Sequence, residues 1–139
     1  MGVVSGSESA RGEIPFVTVD KGFASGIRER RLVVVRNGRE WHDVWVAHQG
    51  VGLPPAAAPR IDFDKEMVIA VFAGEKATGG HVIEIKTLEG TSGGLRVFYA
   101  EMRSPAGAMV GQVLTQPYHI VRSRRVDGQV LFVQLPQRE

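Results

Sequence analysis

The sequence predicts a mainly β domain of the α+β class: an antiparallel sheet or sandwich of roughly six to eight strands, with one helix over about residues 38–48 packed on it. Three observations predict it. From Met67 onward, short β-branched and aromatic runs alternate with Gly- and Pro-containing turns. One stretch only, after Asn37-Gly38, switches to a helical period. And 139 residues that are 43% hydrophobic are enough to bury one core.

The elements follow in chain order. MGVVSGSESARG (1–12) is Gly/Ser-rich and charged, and reads as a disordered tail or a remnant of trimming. The domain is therefore expected over 13–136. Pro15–Val19 alternates as an edge strand does, Phe23–Ile27 reads as loop, and Leu32–Val35 is extended. Asn37 with Glu40 three residues on has capping-box spacing. Trp41, Val44, Trp45 and His48 then fall at i, i+3, i+4 and i+7, a single apolar stripe. Gly50 and Gly52 end the helix, and the prolines of Leu53–Arg60 prevent its continuation.

Met67–Ala73 is apolar on both faces, as in a central strand covered on two sides. His81–Leu88 alternates, Gly90–Gly94 is a turn, and Leu95–Met102 runs back as the second arm of a long hairpin. Ser104–Gly107 is another turn. Met109–Leu114, Tyr118–Arg122 and Val130–Leu135 complete the strands, the last two joined as a hairpin around Asp127-Gly128.

Composition removes several functions. No apolar run reaches the ~20 residues of a membrane-spanning helix, and the N-terminus lacks the basic start and apolar centre of a signal peptide. Without cysteine there is no disulfide, thiolate catalysis or Cys-based zinc site. Arg122–Arg125 (RSRR) is a dense basic cluster in a chain of net charge +2. It lacks interleaved stacking aromatics, so it reads as a strand end or turn and not as a nucleic-acid face. No GxSxG, Walker or GxGxxG pattern occurs, which leaves nucleophilic and phosphate-cradling chemistry without support. A non-catalytic protein with no cofactor and no metal is expected.

Of the four histidines, His48 belongs to the Trp stripe and His42 to the exposed side of the helix. His81 and His119 each start a strand after a Gly- or Pro-containing loop, so they are the pair able to converge. Asp62-Phe63-Asp64 sets two carboxylates on one face of an extended segment, suited to a cation or, more simply, to capping a turn. KATGGH (76–81) interrupts two apolar runs with consecutive glycines. Such a pair permits positive φ and close backbone approach. It fits either a bulge that re-aims His81 or a bare-backbone loop shaped to meet a partner. Its chemistry predicts that Gly79 or Gly80 has a conformation costly for other residues. It also predicts that ATGGH shares an edge with TQPYH, with the His81 ring near Tyr118 or His119.

Taken together, WHDVW (41–45), PRIDFDKEMVIAVFAGEKATGGHVIEI (59–85) and SPAGAMVGQVLTQPYHIV (104–121) resemble the PrcB C-terminal domain family, named after a subunit of a bacterial surface protease complex. The resemblance spans roughly 16–135. Asp62-Phe63 matches the family's DF pair and Thr115-x-Pro117-Tyr118 its T-x-PY start, whereas His81 stands where the family usually has tyrosine after the two glycines. A looser geometric likeness links ATGGH, SPAGAMVG and TQPYH to the three loops of chagasin-type inhibitors of cysteine proteases.

The resemblance implies a protein-binding module that associates with or stabilises a protease. Members are often exported or lipid-anchored, and a homodimer is compatible with it. The surface expected is loops 77–81, 105–111 and 115–119, with Thr78, Gly79, Gly80, His81, Met109, Pro117, Tyr118 and His119 as contacts. The alternative is a small-molecule or metal site near His81, His119 and Asp62.

Overall fold

A computed structural model describes residues 12–50, 57–103 and 113–137. The mainly β expectation holds: among the described residues, eight strands form two four-stranded sheets, with one helix. One sheet contains β1 (Gly12–Glu13), β5 (His81–Thr91), β6 (Gly94–Arg103) and β8 (Gln129–Gln134), in the order β1-β5-β6-β8. The other contains β2 (Phe16–Gly22), β3 (Arg31–Val35), β4 (Glu66–Phe72) and β7 (Tyr118–Arg124), in the order β2-β7-β4-β3. Helix α1 (Gly38–Gln49) covers the outer face of this second sheet.

The layering explains the sequence of β4. Met67, Ile69 and Val71 pack against Ile83, Ile85, Leu88, Leu95 and Val97 of the first sheet. The alternate residues Val68, Ala70 and Phe72 pack against Trp41 and Trp45 of the helix. With period-two alternation and both faces covered, every position from Met67 to Ala73 is apolar and buried. The helix is set as its sequence predicts. The Asn37 side chain accepts a hydrogen bond from the Glu40 amide at 2.9 Å, and Trp41, Trp45 and His48 are its buried residues.

Beyond the helix, Gly26 is pressed against the helix end. Its amide donates to the His48 carbonyl at 2.7 Å. A β-carbon there would stand 2.3 Å from the Ala47 carbonyl oxygen and 2.6 Å from Gly50 Cα. Those are backbone atoms that cannot yield, so only glycine fits.

Two strand expectations are corrected. Asp127-Gly128 does not join a hairpin: β7 is paired on both sides, by β2 and β4, so its neighbours in sequence have no edge to join. The chain crosses instead to the first sheet, where β8 runs parallel to β6 and adds Val130 and Phe132 to the inter-sheet core. Val113 and Leu114 are not in a strand, and the rest of the expected 109–114 strand lies outside the described residues. So does most of the N-terminal tail, though Gly12 already pairs with Gly90. No helix among the described residues is long and apolar enough to cross a membrane.

Candidate interaction site at the open end of the sheets

β2, β4 and β8 finish, and β3, β5 and β7 start, at one end of the two sheets, as their registers require. Here 73–81 and 113–118 lie side by side. The Ala73 amide donates to the Pro117 carbonyl at 3.0 Å, and Lys76 and Thr115 exchange both backbone hydrogen bonds. The Thr115 hydroxyl donates to the Thr78 carbonyl at 3.1 Å, and the Gln116 amide to the Phe23 carbonyl at 2.7 Å. The expectation that ATGGH and TQPYH share an edge therefore holds. Gly80 has φ 87°, a conformation that L side chains rarely adopt, which accounts for one of the two glycines.

His81 is half-buried at this rim, but its ring is not beside Tyr118 or His119. Its Nε2 stands 3.4 Å from the Thr78 hydroxyl, and the ring lines a recess with Lys76, Glu101 and Arg103. Burial lowers its pKa, and Lys76 and Arg103 lower it further against the opposing pull of Glu101.

Tyr118 and His119 are placed in the interior, only 7% and 2% exposed, so neither offers a side chain to a partner. They start a strand covered on both faces, and alternation sends them to opposite sides. His119 faces the first sheet. The Ile85 amide donates to its Nδ1 at 2.9 Å, where a break in register between Ile85 and Thr87 marks a bulge. Nδ1 must then be unprotonated, so Nε2 carries the hydrogen and donates to the Thr18 hydroxyl at 2.8 Å. Desolvation by burial, reinforced by Lys21, pushes its pKa down to about 4. The ring joins the two sheets as a neutral group.

Tyr118 faces the helix and packs edge-on to His48 with ring centroids 4.4 Å apart. Burial, followed by the Asp20 carboxylate, raises its pKa. Around it lies a constellation that short-range sequence reading misses. The Ile27 amide donates to Ser25 Oγ at 3.1 Å, Ser25 Oγ and His48 Nδ1 are 2.8 Å apart, and His48 Nε2 is 2.9 Å from Asp20 Oδ2. A carboxylate only accepts, so Nε2 carries a hydrogen and donates it to Asp20. Ser25 is 6% exposed and bonded on both sides. The relay ties β2, the 23–27 loop and the helix end together.

The alternative site does not assemble. Asp62 precedes β4 and His81 follows it, so the seven-residue strand alone, at about 3.3 Å per residue, separates them by roughly 20 Å. Asp62-Phe63-Asp64 is a turn and not an extended face: Asp62 Oδ1 accepts from the Asp64 amide at 3.1 Å, and its carbonyl accepts from Lys65 and Glu66. No group of three metal-capable side chains meets among the described residues. Met109 and loop 105–111 lie outside them, so the three-loop likeness to chagasin-type inhibitors has no geometry to stand on.

The rim also carries residues that were not expected to matter. Phe23, Val113 and Leu114 are 54%, 58% and 64% exposed, and they account for three of the six large hydrophobic residues so exposed among the described positions. The backbone bond between Gln116 and Phe23 brings the segments that carry them to the same rim as the ATGGH loop. Apolar residues scattered singly need no explanation, but a group does.

The 67–123 stretch that builds β4 to β7 and this rim matches a known family. Residues 67–123 match the model of the PrcB C-terminal family. The match is narrower than the resemblance read from sequence and leaves out Asp62-Phe63, the helix and β8, while retaining ATGGH and Thr115-x-Pro117-Tyr118. No curated protein and no solved structure matches the chain.

Proposed function

We propose that this chain is a non-catalytic protein-binding module whose partner is a protease or a subunit of a protease complex. The observation that carries the reading is the cluster of Phe23, Val113 and Leu114 beside the hydrogen-bonded 76–81 loop. Apolar and aromatic side chains on a rigid frame are what the centre of a protein interface uses. The PrcB C-terminal match supports the class of partner, since the family takes its name from a protease-complex subunit. The burial of Ser25, His119 and Tyr118 supports a non-catalytic role, because the groups best placed for chemistry are enclosed and already bonded.

A photo-crosslinking residue at Leu114, compared with one at Leu131, tests the reading in the native cell. Leu131 is 53% exposed but lies on β8, toward the other end. Crosslinks from Leu114 to a protease-bearing polypeptide, absent from Leu131, are expected. Crosslinks from Leu114 only to a second copy of the chain would point to self-assembly and overturn it.

A further inference from the structure

Next to the apolar cluster, the two sheets part around a recess of about 240 Å3. Three basic residues line it from separate elements. Lys76 comes from the loop after β4, His81 from the first position of β5, and Arg103 from the last position of β6. His81 and Arg103 are register partners, so their side chains stand on the same face of the ladder.

The acid at this recess is Glu101, and its charge is already matched. Arg30 Nη1 donates to Glu101 at 2.5 Å, while Arg30 Nη2 bonds the Tyr99 hydroxyl at 3.0 Å and Gln134 at 3.3 Å. Lys76 and Arg103 make no ion pair among the described residues. Two unpaired cations beside an imidazole repel one another until an anion joins them.

We propose that this recess binds a carboxylate group, held by Arg103 and Lys76 with His81 as a third donor. A single guanidinium matches the planar, two-oxygen face of a carboxylate. Glu101 alongside disfavours a more highly charged anion, and Ala73 gives the lining an apolar part. The carboxylate has two available sources, a free small acid or the C-terminus of a peptide. The inference does not rest on the apolar cluster, and its test needs no protein partner.

Isotope-labelled protein is titrated with succinate, with a tri-alanine peptide bearing a free C-terminus, with the same peptide amidated, and with inorganic phosphate. The His81 ring and the Gly80 and Arg103 amides report by nuclear magnetic resonance. Saturable shifts centred on these residues are expected with succinate or the free peptide, and none with the amide. The tighter of the two identifies the source. Bound carboxylate favours imidazolium, so the His81 pKa should rise and binding should tighten as pH falls. Lys76, Arg103 and Glu101 (with its Arg30 partner) are the other charges facing the ring. Arg103→Gln should weaken binding about tenfold or more, the loss expected for a charged hydrogen bond. Lys76→Gln/Arg103→Gln should abolish it while leaving the rest of the spectrum unchanged. No saturable shift with any carboxylate, an equal shift in the double variant, or tighter binding of phosphate would overturn the proposal.

Discussion

The two ends of the sheets are built from similar residues put to opposite uses. At the end holding Asp62 and Gly128, arginines are turned into the chain itself. Arg36 Nη2 donates to the carbonyls of Val126 and Gly128 at 2.9 and 2.8 Å. Arg125 Nη1 donates to those of Arg36 and Phe63 at 3.1 and 2.9 Å. A groove of about 440 Å3 between 91–94 and 124–128 lies here, yet the Arg125 guanidinium that borders it is committed to backbone. At the other end the backbone is also bonded, but among the described residues the side chains of Lys76 and Arg103 make no ion pair, and Phe23, Val113 and Leu114 are exposed. What separates the ends is whether donors and apolar groups are used up within the chain.

That contrast yields tests of graded size. The helix packs on the outer face of β4, so Trp45→Ala, which empties a site only 8% exposed, should cost about 3–5 kcal/mol in chemical denaturation. A loss below 1 kcal/mol would show that the helix is not packed on the sheet as described. Acid should come next, through His119. Its pKa in the folded chain is about 4 against an ordinary 6.5, so the neutral ring's contribution is complete above pH 6.5. As pH falls toward 4, the unfolded chain takes up the proton first, and about 3 kcal/mol is lost at roughly 1.36 kcal/mol per pH unit. His119→Gln can still bond Ile85 and Thr18 without titrating, so its stability curve should be flatter over that range.

Arg125→Ala should cost about 2–3 kcal/mol, because the carbonyls of Arg36 and Phe63 lose their donor at the closed end. Its counterpart at the open end, Leu114→Ser, should change stability by no more than about 0.5 kcal/mol. Equal costs for these two would erase the distinction between the ends.

The sequence made local features readable and left non-local ones hidden. The helix was legible because its cap, its stripe and its stop all act within a turn or two. The β5–β6 hairpin and the doubly covered β4 were legible from alternation alone. The parallel placement of β8 was not. Asp127-Gly128 is a sound local hairpin signal, overruled because β2 and β4 had already occupied both edges of β7. Tyr118 and His119 were misjudged as surface contacts since Pro117 just before them suggested a loop. The apolar partners that follow, Ile120 and Val121, were the signal that both faces would be covered. Phe23 was read simply as loop, because its neighbour Gln116 is remote in sequence. The double glycine predicts a costly conformation at Gly79 or Gly80, and the positive φ falls at Gly80.

The central claim is that the open end binds while the interior and closed end hold the fold. The most direct measurement is the affinity of Phe23→Ser/Leu114→Ser for the protein captured by crosslinking at Leu114, read by titration calorimetry beside the unaltered chain. Both side chains are more than half exposed, so the variant should fold with an unchanged melting temperature. Its affinity should fall at least about tenfold, as when apolar anchors at an interface centre are removed. Unchanged affinity in a folded variant would contradict the claim.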